Sequence, residues 1–483
     1  MKLFAALIVT LSITNQSLNA QEFGATSPVS VAPGFGNYHP QLEVLGDGTL
    51  GVIWASLSLK NLYFAKQIGV DQFDVPIKLN PDNLDVQTFN WSGADLAVEQ
   101  DNVYIVFHSS EFIAGNIYLV KSTDNGSTFG DTVRIDNLTS GYGQFPDIAV
   151  HNDTLFATYM KFDDMGLDPR YVLTRSVDGG ASFESEVEAG SLIGDEACDC
   201  CQPEIVVRDE RVIIFFRNNA TNIRDIKAVI SYDRGLTFTD WISVDDHNWL
   251  INACPSTGPD ARFYSNNVVL SAYRTTVGGL PKIFMNEYDL NADASVNLID
   301  INMQGASNLG INYPQIDYKE NLIGVVWEGL GSGTDVFFNG SSNGVSGIVN
   351  SNAINVTNAS GSESKPDIAI VNGMYHIVYS QITGAELMYC RVLNVTGLSE
   401  SKNDPLTIFP NPINGNSLSL TLKESQAEEV TITLFDFTGR LISSFTAPIN
   451  AGIVTMDLDN IAKGSYLIQV YDGKKIYESK IIK

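Results

Sequence analysis

The sequence predicts an all-β protein: a seven-bladed β-propeller followed by a second, smaller β-unit. Three observations predict it. First, a Pro followed by an acidic residue or Gln, then by an apolar run, recurs at Pro40, Pro146, Pro203, Pro259, Pro314 and Pro366. Ala94 holds the second place without the Pro, and the steps from mark to mark are 54, 52, 57, 56, 55 and 52 residues. Second, an aromatic follows each mark by 13 or 14 residues: Trp54, Phe107, Tyr159, Phe216, Tyr273, Trp327 and Tyr379. Third, each period is filled with short β-branched and aromatic runs between turn residues, and no long amphipathic helical pattern occurs. A repeat of this length built from short strands is the pattern of propeller blades.

The elements follow in chain order. Lys2, the apolar stretch from Leu3 to Ile13 and the small Ala20 make residues 1–20 a signal peptide by pattern. Thr26 to Ala32 reads as a lone strand. The first period then reads as strands at Gln41 to Leu45, Thr49 to Ala55, Asn61 to Gln67 and Val75 to Leu79, with Gly46-Asp47-Gly48 as the first turn. The last period offers only three strands, near Ile368, at Met374 to Tyr379 and at Leu387 to Val392. The N-terminal strand is expected to complete it, because a closed ring leaves no open sheet edge. The propeller is thereby placed at 22–397, a polar linker at 398–404 and the second unit at 405–483.

Composition bounds the partners. The formal charge of −27 and pI near 4.4 argue against nucleic acid and anionic membrane. A local cationic cluster can still oppose that global charge and hold an anionic substrate. After the leader, no apolar run approaches the roughly 18 residues of a membrane helix, so no transmembrane segment is expected.

Three periods carry a further motif: Ser122-Thr-Asp124-Asn-Gly126-Ser-Thr128-Phe129, Ser176-Val-Asp178-Gly-Gly180-Ala-Ser182-Phe183 and Ser231-Tyr-Asp233-Arg-Gly235-Leu-Thr237-Phe238. Asp caps its own turn, Gly supplies a positive φ and Phe anchors the hairpin. The pattern resembles the Asp-box, or BNR repeat, of the sialidase-like propellers. That resemblance implies a carbohydrate-active propeller, and its best-known members are six-bladed exo-sialidases, so six blades stand as the alternative count. Those enzymes hold a carboxylate with three arginines, the first in an Arg-Ile-Pro motif. Here the matching place reads Tyr38-His39-Pro40, and the first arginine of the chain is Arg134. A second resemblance covers Cys198-Asp199-Cys200-Cys201, Arg217-Asn218, Asn222 to Ile226 and Cys254 to Pro259. It is to secreted bacterial propellers of the same sialidase-like kind.

The second unit opens with Ile408-Phe409-Pro410-Asn411-Pro412 and continues through Asp436-Phe437-Thr438-Gly439-Arg440 to Gly464-Ser465-Tyr466-Leu467. This order resembles the C-terminal sorting domain of the type IX secretion system. The resemblance implies a small β-sandwich that addresses the chain to the secretion machinery. A secreted or surface-attached protein is therefore expected.

In a propeller the first strand of each blade lines the channel, and the second runs antiparallel beside it. The start of the first strand and the end of the second therefore share one face, the mouth, and the motif turns lie on the other. The substrate-binding candidates at the mouth are His39, Trp91, Arg217, Arg274 and Lys365, with Arg224 in a nearby loop. The catalytic candidates are Tyr313, Glu328 and His108. The cations suit a carboxylate or sulfate, Tyr313 beside Glu328 suits an activated nucleophile, and histidine suits proton transfer near neutral pH. Trp91 can stack on a sugar ring.

Each candidate also has a purely structural reading as a strut or a core side chain. Four cysteines, Cys198, Cys200, Cys201 and Cys254, cluster in sequence at two neighbouring blades. They read as disulfides in an exported chain, with zinc as the alternative. No cofactor is otherwise implied. Cys390 reads as a small buried thiol. The expected function is a carbohydrate-active propeller acting on an anionic glycan by hydrolysis or elimination. The alternative is a non-catalytic glycan- or protein-binding propeller.

Overall fold

The computed structural model describes residues 27–30, 36–301, 310–392 and 406–483, apart from positions 70, 88, 90, 111–114, 332, 350, 358–360 and 382–385 and several turns beyond 409. The leader at 1–20 and the linker at 398–404 lie outside the described residues. The chain divides into two compact units between Gly397 and Leu398. No helix among the described residues is long and apolar enough to cross a membrane.

The first unit is a propeller. Among its described residues there are seven sheets in chain order, each with antiparallel strands. Their inner strands are Asn37–Val44, Asp95–Glu99, Tyr142–His151, Glu204–Arg208, Asp260–Phe263, Asn312–Lys319 and Glu363–Val371. Each of these packs on the next, and the last packs on the first. The ring is closed by the N-terminal strand Ser27–Ser30, which pairs antiparallel with Glu386–Val392 and sets Ser27 opposite Tyr389.

The aromatic ruler marks the core. Trp54, Phe107, Tyr159, Tyr273 and Trp327 are fully buried, and Phe216 and Tyr379 nearly so. An apolar cluster fills each gap between neighbouring sheets, and the gap between the seventh and first holds Val29, Trp54, Tyr63, Val378 and Tyr389. Removing any one of these aromatics leaves a cavity that neither flanking sheet can fill alone.

The Pro-Asp ruler proves to be an inter-sheet staple. Asp147 accepts a hydrogen bond from the Ile205 amide of the next sheet at 2.6 Å. Asp260 does the same for Ile316 and Asp367 for Leu42, both at 2.6 Å. Asp367 thus ties the seventh sheet to the first. These buried amides would otherwise lack a strand partner, so the acid is required by backbone accounting.

The three motif turns join third to fourth strands. Within each, the Asp carboxylate accepts both the amide and the hydroxyl of the residue four on: Thr128 at 2.8 and 2.6 Å, Ser182 at 2.9 and 2.6 Å, and Thr237 at 2.9 and 2.6 Å. The Ser182 hydroxyl and amide and the Ser176 hydroxyl hold Asp178 down to about 2. A depressed carboxylate stabilises the fold above its unfolded value, near 4, and that contribution fades as pH falls toward 2. Melting temperatures between pH 5 and 2 should therefore fall less steeply in Asp178→Asn than in the wild type.

The second unit is a β-sandwich. A three-stranded sheet has the order Leu406–Phe409, Ser417–Leu422, Ile453–Asp457. A four-stranded sheet has the order Leu441–Pro448, Glu429–Asp436, Ser465–Tyr471, Ile476–Ile482. Alternate residues Leu418, Leu420, Val454 and Met456 face Val430, Ile432, Leu434, Ile468 and Val470 in one core.

Candidate functional site at the channel mouth

Four inner strands are bulged at their mouth ends. Register skips between Tyr38 and Gln41, Gln144 and Asp147, Asn312 and Gln315, and Ser364 and Asp367. In each bulge the residue before the Pro is left-handed: His39 at φ 48°, Phe145 at 55°, Tyr313 at 47° and Lys365 at 51°. A non-glycine residue holds that region at a cost of order 1–3 kcal/mol, and bulges re-aim side chains. The Pro ruler is therefore the device that turns His39, Tyr313 and Lys365 onto one face. Together with Trp91, Gln202 and Thr257 they line a cavity of about 60 Å³.

Sheets one, six and seven are consecutive around the closed ring, and they bring the sequence candidates together. The His39 and Tyr313 rings meet edge to face at 6.0 Å. The Lys365 ammonium stands 5.0 Å from the Tyr313 ring and 5.3 Å from that of Tyr38. Glu328 lies opposite Asn312 in register and accepts the Lys365 amide at 3.4 Å. Burial pushes the Glu328 carboxyl up to about 7, against the pull of Lys365 and Arg274. Burial and the Glu328 charge push the Tyr313 phenol up, while Arg274 draws it down. Arg274 lies over Trp249 at 4.8 Å, and its Nε has no partner among the described residues. Burial and Arg217 lower it to about 10, so it remains a cation at neutral pH.

Other candidates lie beneath this face. Arg217 is 0 % exposed. It donates to three backbone carbonyls, of Thr257 at 3.0 Å, Arg224 at 2.5 Å and Arg274 at 2.8 Å. It is a strut that joins the fourth and fifth sheets and holds Arg274 in place. Arg217→Ala should cost at least about 1–3 kcal/mol, since it strands buried carbonyls, and calorimetry would show a lowered melting temperature before any binding is measured.

Arg224 is buried, and its Nε and one terminal nitrogen have no partner among the described residues. Its charge acts on the Cys198 and Cys201 thiols, drawing both down. His108 is buried beside Phe89 and Phe145. Desolvation lowers it to about 3, so it stays neutral and suits packing rather than proton transfer. Trp91 stacks on Phe89 at 5.1 Å but still borders the mouth cavity.

Two features were not foreseen from sequence. Gln202 crosses from the fourth sheet to the second: its side-chain oxygen accepts the Ser92 hydroxyl at 2.7 Å and the Gly93 amide at 3.3 Å. A Cβ on Gly93 would lie 2.9 Å from the Cβ of His39, so glycine is needed there. Below the mouth, the channel widens to a cavity of about 330 Å³ lined by Glu43, Asp95, Asp147, Glu204, Asp260 and Asp367. Arg262 answers that charge, 2.8 Å from Glu204 and 2.7 Å from Asp260. The only sequence signal for this ring was the acidic half of the Pro ruler.

At the fourth and fifth sheets Cys200 and Cys254 form a disulfide, while Cys198 and Cys201 are buried thiols 3.2 Å apart. Burial pushes the Cys201 thiol up, but the Cys198 hydrogen bond and the Arg217 and Arg224 charges outweigh it and hold it below the usual thiol range. Zinc fits this set poorly: the disulfide leaves two thiols, and two guanidiniums flank them. Cys390 pairs with Ile377 across the seventh sheet, and its side chain lies outside the described residues.

Fold and mouth together define the class: a closed β-propeller with a candidate site at one end of its channel, on a chain with a separate β-sandwich. Residues 407–483 match the family described as secretion system C-terminal sorting domain. The chain is therefore addressed by type IX secretion to the cell surface or the extracellular space. No curated protein matches the chain.

Among solved structures, a Dyadobacter fermentans protein of unknown function is similar at 12% identity and TM-score 0.47, over 65% of this chain and 97% of that one. The NanB sialidase of Streptococcus pneumoniae, as its K499G mutant, is similar at 10% identity and TM-score 0.44, over 61% of this chain and 65% of that one. The Trypanosoma rangeli sialidase in complex with DANA is similar at 11% identity and TM-score 0.45, over 92% of this chain and 84% of that one. At these scores the likenesses bear on neither substrate nor chemistry.

Proposed function

We propose that the protein is an exported, carbohydrate-active propeller that hydrolyses an anionic glycan at the channel mouth. One observation carries the reading: Tyr313, Glu328, Lys365 and His39 meet around a single bulged rim, with Arg274 close enough to influence both Tyr313 and Glu328. Lys365 and Arg274 supply the charge for a carboxylate or sulfate. Glu328, poised near neutrality, takes the phenolic proton as the Tyr313 oxygen attacks the anomeric carbon. The bond to the leaving sugar breaks as its oxygen takes a proton from solvent; water then adds to the anomeric carbon and returns a proton to solvent, while the Tyr313 oxygen leaves and regains its proton from Glu328. Elimination from a uronic-acid chain would instead use Tyr313 or His39 as base and Arg274 to neutralise the carboxylate.

The volume of the mouth limits the substrate pose. A cavity of about 60 Å³ is far below the several hundred Å³ of an enclosing ligand pocket. A glycan chain would lie across the rim and place one group in it. The same small volume favours the second reading, a propeller that binds glycan without turnover. Purified full-length protein assayed on sialosides, sulfated glycans and uronic-acid polysaccharides separates them. Released reducing sugar supports hydrolysis, and an unsaturated product supports elimination. Calorimetric binding with neither product supports the binding propeller.

A further inference from the structure

We propose that Cys198, Cys200, Cys201 and Cys254 form one thiol–disulfide exchange site, in which a single disulfide migrates between the Cys200–Cys254 pair and the buried Cys198–Cys201 pair. The geometry is a contiguous run of sulfurs. Cys198 Sγ lies 3.5 Å from Cys200 Sγ and 3.2 Å from Cys201 Sγ. Cys200 Sγ is bonded to Cys254. A turn brings the Cys198 and Cys201 sulfurs together, with the Cys201 amide 3.4 Å from the Cys198 carbonyl. The turn is pinned on both sides: the Tyr171 hydroxyl donates to the Cys201 carbonyl at 2.5 Å, and the Cys198 amide donates to the Arg217 carbonyl at 2.9 Å. Accessibility is graded along the run. Cys198 and Cys201 are 0 % exposed and Cys200 is 7 % exposed, whereas Cys254 is exposed.

Exchange needs an attacking thiolate in reach of a disulfide sulfur. Here Cys198 is the attacker, since direct bonding of the adjacent Cys200 and Cys201 would close a strained small ring. In the first step Cys201, the sulfur that the Arg217 and Arg224 charges favour as a thiolate, takes the proton of Cys198. Cys198 Sγ bonds to Cys200 Sγ, the Cys200–Cys254 bond breaks, and Cys254 leaves as a thiolate that takes a proton from water. In the second step Cys201, giving up its proton, attacks Cys198 Sγ. The Cys198–Cys200 bond breaks, and Cys200 leaves and is protonated. One S–H bond, one thiolate and one S–S bond exist before, and two S–H bonds and one S–S bond after; the added proton comes from water, and no outside oxidant or reductant is consumed. The outcome is a thiol at Cys254, positioned to exchange with an external disulfide. Arg217 and Arg224 beside the sulfurs favour anionic sulfur over a bound cation.

The test uses full-length protein purified without reductant and labelled in the native state with N-ethylmaleimide, then acid-quenched and mapped by peptide mass. Label is expected to accumulate on Cys254 with time, in step with a Cys198–Cys201 disulfide. Cys198→Ala should slow labelling of Cys254 at least about tenfold by removing the attacker. Cys201→Ala should leave Cys254 reactive and trap a Cys198–Cys200 disulfide. The wild-type measurement stands even if a variant does not fold. Three results would each overturn the proposal: Cys254 unlabelled with Cys198 and Cys201 recovered as thiols, all four cysteines oxidised in two disulfides, or Cys254 labelled with no Cys198–Cys201 or Cys198–Cys200 disulfide.

Discussion

Tyr313→Phe is expected to lower turnover roughly a thousandfold, within the range for loss of a nucleophile or its partner base. Its melting temperature should stay close to that of the wild type, because the ring and its contacts with His39 and Lys365 remain. Glu328→Gln should lose turnover to a similar extent for a different reason. The amide keeps an oxygen for the Lys365 N–H but cannot accept a phenolic proton. The pH profile distinguishes the two roles. Glu328 must be ionised to act as base, and its carboxyl sits at about 7, so activity should rise as pH passes through 7. Arg274 and Lys365 are the charged groups facing it: Arg274 remains cationic across that range, and burial draws the Lys365 ammonium down while the Glu328 charge holds it up. Turnover undiminished in both variants would remove Tyr313 and Glu328 from the chemistry, whereas binding without turnover in the wild type would leave the binding reading.

Val29→Asp should cost about 3–5 kcal/mol, the scale of an uncompensated buried charge. Val29 is 2 % exposed on the strand that closes the ring, packed with Trp54, Tyr63 and Tyr389. A charge there attacks the gap between the seventh and first sheets. That gap joins the two ends of the propeller sequence, so its loss opens the ring. A scanning-calorimetry trace should show a large fall in melting temperature of the propeller. The same substitution at the exposed Val75 should leave the trace nearly unchanged. Equal stability of both variants would mean that the N-terminal strand does not hold the ring.

Much of this fold is legible in the sequence. The aromatic ruler falls on buried positions of second strands because a closed ring of like sheets needs like anchors in every gap. The missing fourth strand of the last period pointed to Ser27–Ser30 for the same reason. The acidic half of the Pro ruler was less readable. Its role as an amide acceptor depends on the neighbouring sheet, some 55 residues away, which no local pattern reports. Among the candidate residues, the placement of His39, Tyr313, Lys365 and Glu328 toward one end of the channel followed from strand direction alone. Their neighbours Arg217 and His108 followed from the same rule and yet are buried. Strand direction assigns an end of the channel, but not depth.

The sequence by itself determined the repeat, the closure and the end of the channel at which the candidate residues gather, because these depend on period and on strand direction, and its C-terminal motifs marked the sorting unit by resemblance. Only the tertiary structure decided which cation is a strut and which borders the mouth. It also decided that the residue before each of four prolines is left-handed, and which cysteines are bonded. Those outcomes turn on distances of a few ångströms between sheets, on burial, and on which backbone carbonyls need a donor. The contacts are made between residues far apart in the chain, and their energies exist only after the ring has closed.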